Sequence, residues 1–332
     1  MPNISRRAFL GITAAFMASP AVAETSGFKR AANNARELKQ CHALLIFQDG
    51  QQVLAEVFRG PAINKAVPIK SVSKTIVSAL TGIAIDRGEI PGVKSTLGEI
   101  AADLIPANAD SKVANISVEN LLTMQAGLER TSGRNYGAWV NSRNWVSNAL
   151  SRPMVAEPGT RMLYSTGSSH IMGAILSKVS GKSLLALTRN RLGKPLGIEI
   201  PSWTRDPQGR YLGGNEMALT PLAMISFGEM YNNGGKVGSN QVVSEMWVRQ
   251  SMLSVTQSLF SGLGYGYGWF LGDSSGTSYA LARGYGGQVI CIVPDLKLTI
   301  AITSDPTSLA RSAGYFGDLL RLIENDIIPI AS

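Results

Sequence analysis

The apolar pattern of this chain changes period twice, and that ordering limits the folds open to it. Ala43 to Phe47 and Val53 to Phe58 are strand-length apolar runs joined by Gln48-Asp49-Gly50-Gln51, a hairpin signal because Asp-Gly accepts the positive φ values of a tight turn. A short polar helix is expected before them, from Ser26 to Leu38. Helical spacing takes over from Val72 to Ile85 and stops at Arg87-Gly88. It resumes near residues 96 to 104, 117 to 125, 139 to 150, 165 to 179, 183 to 193, 221 to 231 and 244 to 251. Strand-like runs return at Tyr267 to Leu271, Ser278 to Arg283, Gln288 to Val293 and Leu298 to Thr303, before an amphipathic helix from Leu309 to Ile327. Strands at both ends must find partners in space. The expected fold is therefore α+β: an antiparallel sheet from N- and C-terminal strands, flanked by helices, with an inserted mostly helical lobe at about 86 to 255. A cleft between sheet and lobe is the expected place for a site.

The first 23 residues read differently from the rest. Arg6 and Arg7 precede an uncharged run of small and apolar residues ending Ala21-Val22-Ala23, the order of a secretory signal peptide with cleavage before Glu24. Ser5-Arg6-Arg7-Ala8-Phe9-Leu10 fits the twin-arginine pattern, which implies handling by the twin-arginine translocase and a periplasmic or secreted bacterial protein. The remaining 24 to 332 is expected to be one domain. Its formal charge, +8 for the whole chain, is spread singly and in pairs without an aromatic-interleaved basic stretch, so nucleic acid is not an expected partner. Two His and two Cys are too few for a zinc framework and leave little room for imidazole chemistry, so no metal or cofactor is expected. Oligomeric state leaves no signal. Cys41 and Cys291 lie in strands from opposite ends of the chain, where either a disulfide or two buried thiols would fit.

Three segments carry candidate chemistry. In Ser71-Val72-Ser73-Lys74, positions three apart share a helix face, so the Ser71 and Lys74 side chains can meet. A lysine in a dry cleft can lose its proton near neutral pH and accept that of a serine. Ser73, on another face, reads as structural. Ser26-Gly27-Phe28-Lys29 repeats the spacing but sits too near a chain end to hold a site. The second segment is Tyr164-Ser165-Thr166, where a tyrosine at a helix start could relay a proton if a nearby cation lowers its pKa. Tyr231-Asn232-Asn233 imitates it but leads into a helix stop. The third is Gly284-Tyr285-Gly286-Gly287-Gln288, whose glycines allow close backbone approach, so that an N–H near Tyr285 could join that of Ser71 in an oxyanion hole. Gly272-Asp273-Ser274-Ser275-Gly276 matches a nucleophile motif, yet no helix follows it and only His42 and His170 could serve as bases. His170 reads as a satisfied helix residue. Gly181-Lys182-Ser183 lacks the upstream glycine of a phosphate loop, Leu176 standing there instead.

In the order Ser-x-x-Lys, Tyr-x-Thr and Gly-rich strand, the chain resembles the serine beta-lactamase and penicillin-binding-protein-like hydrolases. The similarity is to their class C-like branch of esterases, D-stereospecific peptidases and 6-aminohexanoate-dimer hydrolases. Ile116 to Leu128 looks like that family's "LLTMTSGL" segment and Tyr265-Gly266-Tyr267-Gly268-Trp269 like its "YGYGW" strand. The resemblance implies Ser71 as acylated nucleophile, Lys74 as its base and Tyr164 as relay to the leaving group. It also implies the Ser71 and Tyr285 backbones as oxyanion donors, with Thr166, Gly286 and Gly287 on the substrate. It departs where Thr166 replaces the usual Asn and where Tyr285-Gly286-Gly287 replaces Lys-Thr-Gly or His-x-Gly, which removes a cation that would hold a substrate carboxylate. Arg283 could substitute only if the glycines break the alternation of the strand. The expected substrates are small uncharged esters or linear amides, ahead of penicillins, cephalosporins or peptides. A beta-lactamase or D-alanyl-D-alanine carboxypeptidase is the alternative of the same fold, and a non-catalytic cell-wall-binding or penicillin-sensing protein the alternative of another class.

Overall fold

The computed structural model describes residues 26–332, and the expected export signal, residues 1 to 23, lies outside them. Eight strands form one antiparallel sheet: β1 (Cys41–Gln48), β2 (Gln51–Val57), β3 (Thr256–Gln257), β4 (Gly264–Tyr265), β5 (Phe270–Ser274), β6 (Thr277–Gly284), β7 (Gln288–Val293) and β8 (Leu298–Ser304). Their spatial order is β2-β1-β8-β7-β6-β5-β4-β3, so the last strand lies beside the first and the two ends of the chain are joined at the centre. The β1–β2 turn is Asp49-Gly50 with φ values of 50° and 74°, both positive as its sequence demands.

Alternation divides the sheet residues between two cores. Leu44, Ile46, Val289, Cys291, Leu298, Ile300 and Ile302 face the terminal helices α1 (Ser26–Glu37) and, after the helical middle, the C-terminal helices beginning at Tyr315. Leu45, Ile290, Ile292 and Ala301 face the other way, into a core shared with the middle of the chain. There α2 (Ser73–Asp86) is buried from Ser73 to Ala84, and α3 (Thr166–Ser180) and α4 (Pro221–Asn232) pack around it and the sheet. Because both faces are covered, β7 and β8 are buried at every residue and read as near-continuous apolar runs. The glycine in α2 has a packing reason: a Cβ on Gly82 would sit 2.3 Å from the Trp247 ring.

The structure moves several expected boundaries. The C-terminal helix starts as α5 (Tyr315–Arg321), not at Leu309, because the segment ahead of Gly314 is used as a loop along the cleft. The strand expected from Tyr267 begins at Phe270, since Gly268, φ 83°, turns the chain against the backbone of Lys74 and Thr75. The helix expected over 139 to 150 is two short ones, Tyr136–Val140 and Trp145–Leu150. Cys41 and Cys291 are both buried free thiols. Strand β8 lies between them, and Cys41 pairs with Ser304 whereas Cys291 pairs with Ile300. Two strand spacings and four residues of rise, each strand spacing about 4.8 Å, put them far beyond disulfide reach.

The rejected motifs have structural uses. Ser275 and Gly276, with positive φ, form the β5–β6 turn, and Asn232 donates from Nδ2 to Leu298 O and Thr299 Oγ1. Ser183 caps the helix Leu184–Thr188.

Candidate active site

The serine–lysine pair is held by a backbone seam. Val67 pairs with Leu219, Ile69 N donates to Met217 O at 2.9 Å, and Lys70 Nζ meets Glu216 Oε1 at 3.0 Å. Lys70 and Glu216 both have positive φ, 52° and 63°, an uncommon state for residues with side chains and one that surrounding structure must enforce. Ser73, as expected, is structural: its hydroxyl donates to Lys70 O at 2.6 Å and accepts from Met217 N at 3.3 Å. Ser71 thus lies in the tight turn Lys70–Val72 that leads into α2, with Lys74 one turn further on.

Lys74 is 3% exposed and has three polar neighbours. Its Nζ lies 3.0 Å from Ser71 Oγ, 3.2 Å from Thr166 Oγ1 and 2.7 Å from Gly214 O. Desolvation lowers its pKa to about 7. A neutral amine has two N–H bonds and one lone pair. The Gly214 carbonyl can only accept, and Thr166 Oγ1 can accept while handing its own proton to Ser132 Oγ at 3.0 Å, so the lone pair is left for the Ser71 hydroxyl. Ser132 also accepts from Thr166 N at 2.9 Å, and Thr131 bonds Ser165 and Gly167, which fixes the head of α3.

Tyr164 packs between Tyr265 and Phe270, with Lys74 Nζ 5.1 Å from its ring centroid. A cation does pull its pKa downward, but it does not prevail. Burial raises it, outweighing the downward pull of its bond to Ser71 and of the Arg283 charge, so Tyr164 stands as a neutral phenol. The chemistry this permits is a division of labour, with Lys74 fit to take a proton and Tyr164 fit to give one.

The third segment closes the site from the sheet side. A Cβ on Gly284 would lie 2.3 Å from Ile69 O, so the absence of a side chain brings the end of β6 against the seam, and Tyr285 and Ser71 line the same cleft. The Tyr285 N–H makes no hydrogen bond among the described residues, as a waiting donor would, and the residue is 47% exposed at the rim. Gly286 and Gly287, expected on the substrate, are not among the cleft-lining residues: a Cβ on Gly286 would meet Asp305 O and one on Gly287 the Tyr315 ring, so the glycines allow close packing against the segment after β8 and the C-terminal helix.

The cleft holds about 880 Å³ and is lined by Ser71, Tyr164 and Thr166 at its floor. Arg130, Arg283 and Arg311 line its walls, none ion-paired among the described residues. The strand register stays regular through Arg283 and Gly284, so no break in alternation was needed. Arg283 reaches the cleft from the penultimate position of β6, its guanidinium 3.5 Å above the Phe316 ring and bonded to Ser312. Among the described residues no group of three His, Cys, Asp or Glu is placed to hold a metal ion. Sequence reasoning missed Ser132, Gly214 and Glu216, whose role comes from contacts across long separations that no local spacing reveals.

An antiparallel sheet with a helical insert, and a serine and a buried lysine one turn apart at the seam, defines a beta-lactamase-fold hydrolase. The Beta-lactamase family profile matches residues 32–318, and the chain belongs to that family. Similar solved structures include a protein from Bacillus anthracis assigned as a 6-aminohexanoate-dimer hydrolase (TM-score 0.75, 18% identity, 90% of this chain and 81% of that one). Another is EstCE1, a hydrolase with promiscuous acyltransferase activity (TM-score 0.73, 15% identity, 90% and 98%). Among curated proteins, the D-alanyl-D-alanine-carboxypeptidase/endopeptidase AmpH of Escherichia coli (strain K12) is 24% identical over 188 residues, 53% of this chain and 48% of its own. The chain spans about half the length of the curated relatives it matches.

Proposed function

We propose that the protein is a serine hydrolase that cleaves ester or amide bonds through an acyl-enzyme on Ser71. The observation that carries this is the buried Lys74 amine, 3.0 Å from Ser71 Oγ with its other neighbours arranged to take its N–H bonds. Ser71 Oγ attacks the substrate carbonyl as its proton passes to Lys74. The oxyanion sits on the N–H groups of Ser71 and Tyr285. Tyr164 protonates the leaving oxygen or nitrogen and is restored by the Lys74 ammonium, so collapse yields acyl-Ser71, free alcohol or amine, and both side chains as they began. Water then repeats the sequence and releases the acid. Mass spectrometry of the intact protein during ester turnover tests this: an acyl adduct on Ser71 is expected, and turnover without one overturns it. A non-catalytic binder would be labelled once by a serine probe and release nothing.

Arg283 favours a second reading on substrate. Arg283, which the sequence offered only on condition of a broken strand alternation, lines the wall, and AmpH is by name a carboxypeptidase, so carboxylate-bearing peptides or beta-lactams compete with uncharged esters. Comparing kcat/KM for p-nitrophenyl acetate, a linear aminohexanoate dimer and nitrocefin decides. Nitrocefin fastest would overturn the ester reading. We further propose twin-arginine export to the periplasm, read from Arg6 and Arg7. Lysine at both positions should keep the protein in the cytoplasm, and normal export of that variant overturns the route.

A further inference from the structure

The Gly214 carbonyl that receives Lys74 belongs to a Gly-Gly pair, and glycine is the residue least able to hold one backbone orientation by itself. The glycines are needed there: a Cβ on Gly213 would lie 2.4 Å from Ser169 O, and one on Gly214 would lie 2.7 Å from Ser169 Cβ. Close approach to α3 therefore leaves the carbonyl free to swing unless it is pinned on both sides. Downstream, Asn215 donates to the Tyr136 hydroxyl at 3.0 Å. Upstream, Gly213 N donates to His170 Nδ1 at 3.3 Å.

His170 is fully buried on α3, one turn beyond Thr166, with Trp139 and Trp145 edge-on at 5.8 and 5.6 Å. Since Nδ1 accepts, the ring proton sits on Nε2 and points to Asp206 Oδ2 at 3.2 Å. Asp206 is itself fixed, its Oδ1 accepting from the backbone N–H groups of Gln208 and Arg210 at 2.9 and 2.8 Å. Desolvation holds the imidazole below its ordinary pKa against the pull of Asp206, in keeping with a neutral ring of one tautomer.

We propose that His170 and Asp206 are positioning residues for the Ser71–Lys74 pair: they fix the Gly213-Gly214 segment so that the Gly214 carbonyl takes one Lys74 N–H and leaves the lone pair on Ser71. This rests on the serine-hydrolase reading. Asp206 sets the tautomer, the tautomer makes Nδ1 an acceptor, and the acceptor places Gly214. The titratable groups facing Lys74 are Tyr164 directly, the Lys70–Glu216 pair at the preceding turn and Arg283 beyond Tyr164. Those facing His170 are Asp206 and Arg210.

Three near-isosteric variants separate the links. Asp206→Asn can donate to Nε2, which moves the ring proton to Nδ1 and sets it against the Gly213 N–H. His170→Gln keeps a group toward Asp206 but leaves Gly213 without an acceptor, whereas His170→Asn keeps an acceptor near Nδ1. The readout is the Lys74 titration, followed by its 13Cε shift in wild type and variants, which needs no turnover. A carbonyl acceptor favours the ammonium, so its loss in Asp206→Asn and His170→Gln should lower the Lys74 midpoint by about one unit. The kcat for ester hydrolysis should fall about 100-fold in the same two, with KM little changed. His170→Asn should keep the wild-type midpoint. If Asp206→Asn does not fold, the two His170 variants decide. An unchanged or raised midpoint in folded Asp206→Asn or in His170→Gln overturns the proposal. Failure of wild type to acylate Ser71 would instead overturn the hydrolase reading and leave the titration standing.

Discussion

The floor and the mouth of the cleft are built on opposite principles. At the floor, Lys74, Thr166 and Gly214 are buried, and the Lys74 amine is committed to three partners at 2.7 to 3.2 Å. At the mouth, Leu259 and Phe260 are 79% and 71% exposed, and Arg130 stacks over Phe260 with no ion-pair partner among the described residues. Burial strengthens every electrostatic contact at the floor and moves the Lys74 pKa toward neutrality, so small displacements there act on the chemistry. Exposure at the mouth leaves contact area to be used by a substrate, so changes there act on binding. The floor should be intolerant and kcat-linked, the mouth tolerant and KM-linked.

The largest expected effect is that of Ser71→Ala, which should cost on the order of 10⁴-fold or more in kcat while leaving circular dichroism unchanged. Full activity in that variant would remove the distinction altogether. Lys74→Ala and Tyr164→Phe should each lower kcat by about 10² to 10⁴-fold, with the double variant little worse than the poorer single because one proton-transfer unit is broken once. Additive losses would show that they do not act as a unit.

The Lys74 pKa gives a signed test of the floor. Its folded value of about 7 lies below the ordinary 10.5, so between those pH values the folded protein has released a proton that the unfolded chain keeps. The contribution of this group to stability therefore rises with pH across that window, by up to about 5 kcal/mol. Lys74→Met should be stabilised relative to wild type near pH 7, and the difference in Tm should shrink toward pH 10. A difference that grows would mean that Lys74 is not desolvated. Catalysis has the matching limb, kcat/KM for a neutral ester rising with pH through about 7.

Smaller still is the expected effect at the mouth, where Phe260→Ala should raise KM for apolar acyl esters about tenfold with kcat nearly unchanged. A kcat loss there would move Phe260 into the floor's category. Thiol titration of denatured, unreduced protein should count two free thiols, with activity indifferent to reductant, because β8 separates Cys41 from Cys291.

Much of the architecture was legible from local pattern. Alternation and Asp-Gly chemistry set the hairpin, apolar runs set β7 and β8, and a strand's need for partners implied that the chain ends meet. Helical periodicity likewise placed Ser71 and Lys74 on one face, since three residues make nearly one turn. What the pattern could not carry was anything fixed by contacts between distant segments. The acidity of Tyr164 depends on how deeply Tyr265 and Phe270 enclose it, and periodicity does not report enclosure. Arg283 lines the cleft, and Gly286 and Gly287 pack against the segment after β8 and the C-terminal helix, through contacts with residues distant in the chain. His170 read as an ordinary helix residue because its acceptor role exists only where Gly213 is laid across α3. The sequence by itself determined which elements form and which side chains share a turn, for those follow from bonds between near neighbours. The tertiary structure alone decided which protons can move, because pKa and lone-pair direction depend on desolvation and on partners far away in the chain.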